Sequence, residues 1–237
     1  RAALRLSMAF RVALLAFLFL PGVSFAAALP RIIASADNPV PQCVRPAALM
    51  DFVAERNAHH NPPQTIDPRF AHIASLYQSI GRCVARAPDQ CVPVRWDYAF
   101  FQMLIETNYL TFRRPSGVPS SVVPGDNNFA GVGAAISGKP GERFRDVATG
   151  VLAHLQHVLM YSVTRIPDPV AKRTRQVQDD VQQAMRRLHH PVTFGDLARE
   201  WTGTDRNTYA AEMYKLAETY AGRYCAQASI TGTVKSR

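Results

Sequence analysis

The chain has 237 residues and a formal net charge of +9, with 27 Lys and Arg residues against 18 Asp and Glu residues. A positive charge favours association with an anionic polymer or surface but does not identify one. No Lys/Arg-rich run or nucleic-acid-binding motif is present, which excludes nucleic acid as the expected partner. The length is enough for one domain with a sizeable core, or for a domain with appendages.

Residues 1–28 have the layout of a secretory signal peptide. Three arginines precede an uncharged apolar stretch, 12–20, and small residues that include Ala26 and Ala28 follow at the predicted cleavage site. The apolar stretch is too short to span a bilayer, so an uncleaved anchor is the less favoured alternative. We therefore predict a periplasmic or secreted protein without stable membrane insertion after cleavage. Cleavage would leave a net charge of about +6.

Four cysteines lie in the part of the chain that follows the predicted signal. In an oxidising compartment they predict two disulfides, for which three connectivities exist. We favour Cys83–Cys91, which closes a short loop, and Cys43–Cys225, which joins the two ends of the predicted mature domain. A metal site is the alternative, but no two cysteines have the C-x-x-C spacing.

Residues 29–92 are predicted to form an N-terminal helical extension. A short helix at 45–60 carries a proline in its first turn, where proline is favoured. A second helix is predicted to begin at Asp67-Pro68, with apolar residues spaced so that one face is buried. The third helix, from about Trp96 to Phe112, is apolar nearly all round and is expected at the centre of the fold.

Gly, Pro, Ser and Asn predominate between Arg113 and Arg143. This composition predicts a long loop, in which residues 128–134 are a candidate short strand. Structureless loops of this length are usually functional in a compact domain.

Helical periodicity returns after the predicted loop. It predicts four further helices, at 144–162, 170–190, 193–201 and 207–225. The second of these is strongly polar and is expected to be an exposed helix or a partly ordered segment. Residues 226–237 are predicted to be a disordered tail.

Glu106 lies in the predicted third helix, directly after a run of large apolar side chains. Gln102, four residues before it, and Tyr109, three residues after it, would share its helical face. If that face lines a cleft, the apolar neighbours disfavour the ionised form and raise the pKa of Glu106, as a general acid requires near neutral pH. The alternative is a solvated glutamate at a helix end.

Four short motifs follow one another between about Val94 and Tyr224. They are Q-x-x-x-E-T at Gln102, Glu106 and Thr107, NNFAGV at 127–132, an F-x-x-V step that leads into the helix ending near Tyr161, and TDRNTYA at 204–210. In this order they resemble the glucosaminidase family, glycoside hydrolase family 73, whose members are mannosyl-glycoprotein endo-beta-N-acetylglucosaminidase-like.

The resemblance implies a mainly α, lysozyme-like domain at 93–225, with a long loop or small β excursion between two core helices. It implies hydrolysis of the β-1,4 bond after N-acetylglucosamine in peptidoglycan glycan strands, without a cofactor. Glu106 would act as the general acid that protonates the glycosidic oxygen. The second group, which stabilises the developing charge or activates water, is either Asp126, Glu142 or the N-acetyl group of the substrate.

Seven side chains are candidates for substrate binding: Gln102, Tyr109, Asn127, Asn128, Phe129, Tyr161 and Tyr209. The two asparagines either orient N-acetyl amides or adopt left-handed turn conformations, which Asn tolerates. The aromatic residues either contact sugars or belong to the core. The resemblance favours sugar contact for Tyr161 and Tyr209, whereas Phe129 is expected to be mostly structural.

Two alternative functions stay open because the sequence departs from the family pattern. Leu110 stands where the family has Gly, and the loop lacks a lysine that is common in the family. The alternatives are a lytic transglycosylase on the same kind of fold and a non-catalytic glycan-binding protein. His154 and His157 suggest a metal site, but no carboxylate or Cys completes a ligand set beside them, so we expect structural or surface roles.

Overall fold

The computed structural model describes residues 29–84, 91–113, 122–134, 140–202 and 206–225. The predicted signal peptide and C-terminal tail lie outside the described residues. Within them the fold consists of seven α-helices: α1 (Pro46–Ala58), α2 (Ile73–Gly81), α3 (Trp96–Glu106), α4 (Val147–Tyr161), α5 (Lys172–Arg186), α6 (Phe194–Thr202) and α7 (Arg206–Tyr220). None of these helices combines the length and the apolar character that crossing a membrane requires.

The fold is mainly α, as predicted. In the described ranges, β-type pairing is limited to isolated bridges, such as the one between Ile33 and Val94. The predicted strand at 128–134 is wrong, because these residues form bends and turns. A short 3-10 turn, Pro124–Asp126, is the regular structure in the described part of the long loop.

Helix α3 occupies the centre of the fold, as its apolar sequence predicted. Phe100, Met103 and Leu104 are fully buried, and the helix packs against α2, α4 and α7. The same hydrophobic core also includes Leu49 of α1 and Ile73 of α2. Residues on both sides of the predicted boundary at 92/93 therefore share one core.

The third helix is shorter than predicted, since it ends at Glu106 and not near Phe112. The Thr107 hydroxyl donates to the Met103 carbonyl at 2.7 Å and accepts the Leu110 amide N–H at 3.0 Å. These bonds compete with continued helix formation. Asn108 and Tyr109 follow in the left-handed region, with φ of 46° and 56°. Tyr109 therefore does not share a helical face with Glu106.

Helix α5 is ordered although its sequence is strongly polar, because its buried face binds the preceding backbone. The Gln178 side chain accepts the Ile166 amide N–H at 2.8 Å, and Gln182 donates to the Thr164 carbonyl at 2.7 Å. Both glutamines are 2% exposed. Their amides satisfy backbone groups that would otherwise be buried without partners.

The two disulfides are the ones that we favoured, Cys83–Cys91 and Cys43–Cys225. The second bridge connects residues 182 positions apart and joins the segment before α1 to the end of the described chain. Beside it, the Tyr220 hydroxyl donates to the Cys43 carbonyl at 3.1 Å, and the Tyr220 ring packs against Phe52. The C-terminal end of α7 is thus fixed to α1.

Candidate active site

Glu106 is the last residue of α3, and two side chains from the C-terminal helices bind its carboxyl group. The Tyr209 hydroxyl donates to Glu106 Oε1 at 2.6 Å, and the Trp201 indole N–H donates to the same oxygen at 2.9 Å. Trp201 lies in the last turn of α6 and Tyr209 in the first turn of α7. Three helix ends therefore meet at this one carboxyl group.

The protein raises the pKa of Glu106. Part of the residue still reaches solvent, since Glu106 is half-buried. Its carboxyl group nevertheless lies among enough protein atoms that burial raises its pKa to about 7, with a smaller contribution from the charge of Glu212. The hydrogen bonds from Tyr209 and Trp201 act in the opposite direction, because they stabilise the ionised form. A large fraction of Glu106 is consequently protonated at neutral pH.

The hydrogen bonds also determine which oxygen carries the proton. An indole nitrogen can only donate, so Oε1 must accept from Trp201 in both protonation states. With a second donor on Oε1, the proton of the neutral acid lies on Oε2. The loop passes beside that oxygen, since a Cβ atom placed on Gly131 would lie 3.8 Å from Oε2. Glu106 thus directs a protonated oxygen towards the long loop, as a general acid requires.

Three buried polar side chains, Tyr77, His154 and Gln102, form a cluster that leads from the core to Tyr209. The Tyr77 hydroxyl lies 2.7 Å from His154 Nδ1, and His154 Nε2 lies 3.3 Å from Gln102 Oε1. Burial lowers the pKa of His154 to about 3, so the ring is neutral. Its Nε2–H therefore donates to Gln102, and Nδ1 accepts from Tyr77.

Gln102 connects this cluster to Tyr209. Its amide nitrogen has no partner in hydrogen-bond geometry among the described residues. Burial and the charge of Glu106 raise the pKa of the Tyr209 hydroxyl well above its usual value, and the neighbouring Gln102 side chain acts in the opposite direction. This placement favours Tyr209 as the donor to Glu106. Gln102 is 0% exposed, so the prediction that it contacts substrate is corrected: it supports the site from within the core.

Trp201 is held in place by rings from α4. Its ring centroid lies 5.3 Å from that of His157 and 6.0 Å from that of Tyr161. The His157 ring is bound in turn by Thr174, at 2.8 Å from Nδ1. Tyr161 is 6% exposed, and burial raises its pKa to about 12. The predicted sugar contact of Tyr161 is therefore corrected, because its ring packs against Trp201.

The three predicted loop residues shape the loop. Asn127 adopts the left-handed conformation at φ 49°, and its amide donates to the Phe144 carbonyl. Asn128 is 0% exposed, accepts the Val132 amide N–H and donates to the Val132 carbonyl. Phe129 is also 0% exposed and packs against Phe70. Turn geometry and hydrogen bonds within the loop favour the structural role that was predicted as one alternative for the two asparagines. Phe129 belongs to the core, as expected.

Both candidate second carboxylates have structural partners. Asp126 accepts Arg143 Nε at 3.0 Å and the Val123 amide N–H at 3.0 Å. Glu142 accepts the backbone N–H groups of Lys172 and Arg173 at the start of α5. A carboxylate at a helix N-terminus is stabilised by the unpaired N–H groups there. In the described part of the chain, no hydrogen bond joins either side chain to Glu106.

Tyr109 lines a cavity between α1 and α7. The Arg56 guanidinium lies 4.9 Å from the centroid of its ring. Ile105 and Glu212 line the same cavity. Burial raises the pKa values of both Glu106 and Tyr109, and the charge of Glu212 adds a smaller increase to each.

Sequence reasoning missed Trp201 altogether. The residue is 95 positions from Glu106 in the chain, and no local spacing connects the two. His154 and His157 are buried, in agreement with the expected structural role. In the part of the chain that the structure describes, no group of three or more His, Cys, Asp or Glu side chains is placed to hold a metal ion.

Comparisons of the chain with protein-family models, with curated proteins and with solved structures give no match.

Proposed function

We propose that the protein is an exported peptidoglycan-cleaving enzyme that uses Glu106 as its general acid. The proposal depends on one observation: the Glu106 carboxyl has a pKa raised by burial to about 7, with both hydrogen bonds on Oε1. This leaves the proton on Oε2, beside a long loop. The four ordered motifs supply the expected substrate, the β-1,4 bond after N-acetylglucosamine. The two disulfides are typical of proteins in oxidising compartments such as the periplasm.

In the proposed reaction, Glu106 Oε2–H protonates the glycosidic oxygen while the bond from that oxygen to the anomeric carbon breaks. The proton is required because an alkoxide is a poor leaving group. The carboxylate that results is stabilised by the same donors, Tyr209 and Trp201. It then accepts a proton from the nucleophile that attacks the anomeric carbon.

The nucleophile distinguishes two versions of this reaction. Asp126 binds Arg143 and Glu142 binds the α5 N-terminus, so either side chain would have to share or leave these partners to act as a protein base. This observation favours routes in which the substrate assists its own cleavage. In the hydrolytic route, the N-acetyl group stabilises the charge and water attacks. In the lytic transglycosylase route, the bond that breaks is the one at the anomeric carbon of the muramyl sugar. A hydroxyl group of the same sugar attacks that carbon, Glu106 protonates the leaving oxygen and then accepts the hydroxyl proton, and no water is consumed in forming the product.

Release of soluble muropeptides from purified peptidoglycan, followed by mass spectrometry, tests the proposal. The mature protein is compared with Glu106→Gln, which keeps an acceptor on the Tyr209 and Trp201 side but cannot donate an acidic proton. Glu218→Gln, an exposed substitution on α7, is the matched control. We expect wild type and Glu218→Gln to release products and Glu106→Gln to release none.

The chemistry of the products separates the alternatives. A reducing N-acetylglucosamine end establishes the glucosaminidase, and an anhydro-muramyl end establishes the transglycosylase. If wild type releases nothing while it still binds the glycan, the enzymatic proposal is rejected and the protein is a glycan-binding protein.

A further inference from the structure

We propose that the cavity between α1 and α7 is a substrate subsite that binds a short charged peptide attached to the glycan strand. The inference depends on the proposed function, because it names the part of the substrate that lies beside the Glu106 carboxyl. It assigns a role to a groove that the acid chemistry itself does not use.

The cavity has a volume of about 460 Å³, and its lining includes Ile105, the residue that precedes Glu106 in α3. Its lining on α7 includes Glu212, Leu216 and Thr219, which lie one above another on one helical face. Tyr209, the donor to Glu106, lies one turn before Glu212 on the same helix. From Tyr209 to Thr219 this face extends for about 15 Å, given the rise of 1.5 Å per residue. The groove thus runs away from the acid along α7.

Helix α1 supplies the opposite wall with the same spacing. Phe52, Glu55, Arg56 and His59 line the cavity from this side. Phe52 and Leu216 are buried and give the groove an apolar base, whereas the charged side chains lie at its rim. An apolar base with a charged rim suits a ligand that combines small apolar side chains with ionised groups.

The charges at the rim identify the class of ligand. Arg223 is paired with Glu55 at 2.5 Å, and Arg56 lies over the Tyr109 ring. The Lys215 ammonium and the Glu212 carboxylate are both exposed, and neither has an ion-pair partner among the described residues. A neutral N-acetylated sugar does not require a cation and an anion together. A peptide with a free carboxylate and a free amine matches both groups, the carboxylate at Lys215 and the amine at Glu212.

Binding measurements on the Glu106→Gln background test the subsite without turnover. The probes are a soluble disaccharide that carries its peptide and the same disaccharide with the peptide removed. Titration calorimetry measures the affinity for each probe of the protein that keeps Lys215 and of its variants Lys215→Ala and Lys215→Glu. The second substitution reverses the charge. Lys172, an exposed lysine outside the groove, provides the matched controls Lys172→Ala and Lys172→Glu.

We expect the peptide-bearing probe to bind more tightly than the peptide-free probe. Lys215→Ala should weaken binding of the peptide-bearing probe by about 5-fold, the upper range for an exposed ion pair. Lys215→Glu should weaken it further, and the peptide-free probe should be unaffected by either change. Equal affinity for the two probes, or an equal loss in the Lys172 variants, would overturn the inference.

The outcome is independent of the enzymatic test. If the peptide-bearing probe binds through Lys215 while the wild-type protein releases no muropeptide, the subsite is established and the enzymatic proposal is rejected. If wild type cleaves the glycan while binding does not depend on the peptide, the enzymatic proposal is supported and the subsite is rejected.

Discussion

At the scale of single residues, Glu106 experiences opposing effects on its protonation. Burial favours the neutral acid, whereas the donors Tyr209 and Trp201 favour the carboxylate. The balance places the pKa near the pH at which a general acid can both donate and recover its proton. Removing one donor should therefore change the pH dependence of cleavage as well as its rate.

Substitution Tyr209→Phe tests this balance. The loss of the hydrogen bond removes an effect that lowers the pKa, so the pKa of Glu106 should rise above about 7. Because the acid must be protonated, the alkaline limb of kcat/KM should move to higher pH. The value of kcat should fall by about 10-fold or more, since the carboxylate formed in the reaction loses a donor. The pH profile of muropeptide release measures both effects.

The control for this substitution is Tyr214→Phe, also on α7, whose hydroxyl binds exposed Glu218. The control should leave the pH profile unchanged. A shift of the alkaline limb to lower pH in Tyr209→Phe would contradict the assigned role of the tyrosine.

At the scale of elements, the loop depends on a close approach to α4. A Cβ atom on Gly150 would lie 1.8 Å from the Asn127 carbonyl oxygen, so only glycine permits the loop to pack there. The same loop carries Gly131 past Glu106 Oε2. The position of the loop relative to the acid is therefore set partly by one residue of a helix that does not contact the carboxyl.

Substitution Gly150→Ala should displace the loop. We expect the free energy of unfolding to fall by about 1–3 kcal/mol, the range for overpacking, and cleavage activity to fall with it. Urea denaturation and muropeptide release measure the two effects.

Gly125→Ala, in the same loop, is the matched control, because a Cβ atom there meets no atom within 4 Å. If both substitutions are equally tolerated, the close contact between the loop and α4 is not needed for the site.

The sequence predicts elements better than it predicts where they end. Apolar periodicity was enough to predict the helices around the core and the central place of α3. It did not predict the end of α3, because apolar residues continue through Phe112. The helix ends earlier because the Thr107 hydroxyl forms hydrogen bonds with backbone groups on both sides of it. Glu106 was singled out by its place after an apolar run and by the resemblance. Tyr209 was singled out by the resemblance alone, as a sugar contact, and its hydrogen bond to Glu106 was not predicted. Trp201 was missed because its contact with Glu106 exists only after α6 and α3 have packed together.

At the scale of the whole molecule, the raised pKa of Glu106 links the site to stability. The folded pKa of about 7 lies above the ordinary value of 4.5, so the folded state holds this proton more tightly than the unfolded state. The contribution of Glu106 to the free energy of unfolding therefore decreases as pH rises from about 4.5 to 7. A glutamine at position 106 does not ionise, so the variant Glu106→Gln lacks this pH dependence of the free energy of unfolding.

We expect Glu106→Gln to become more stable relative to wild type as pH rises from about 5 to 8. The difference should grow by up to about 3 kcal/mol and then level off. Burial lowers the pKa values of His154 and His157, which destabilises the fold as pH falls below about 6.5. These histidines are common to both proteins, so their effect cancels in the difference. A constant difference across this range, measured by urea denaturation, would refute the linkage.

The two disulfides should differ in their effect on stability. Cys43–Cys225 spans 182 positions and Cys83–Cys91 spans 8. In the chain-entropy treatment, the long loop corresponds to roughly 5 kcal/mol and the short loop to roughly 2.5 kcal/mol. Replacing Cys43 and Cys225 by Ser should therefore lower the free energy of unfolding more than replacing Cys83 and Cys91. Equal losses in urea denaturation would contradict this ranking.

The long disulfide also constrains the order in which the protein can mature. A chain is synthesised from its N-terminus, so Cys43 emerges first and Cys225, its partner, last. In the interval, Cys43 must stay reduced or exchange out of incorrect pairs with Cys83 and Cys91, whose own pair can close early. Until Cys225 has been synthesised, no disulfide can join the segment before α1 to the end of α7, and the groove between the two helices is incomplete. The covalent closure of this groove therefore follows the synthesis of α7.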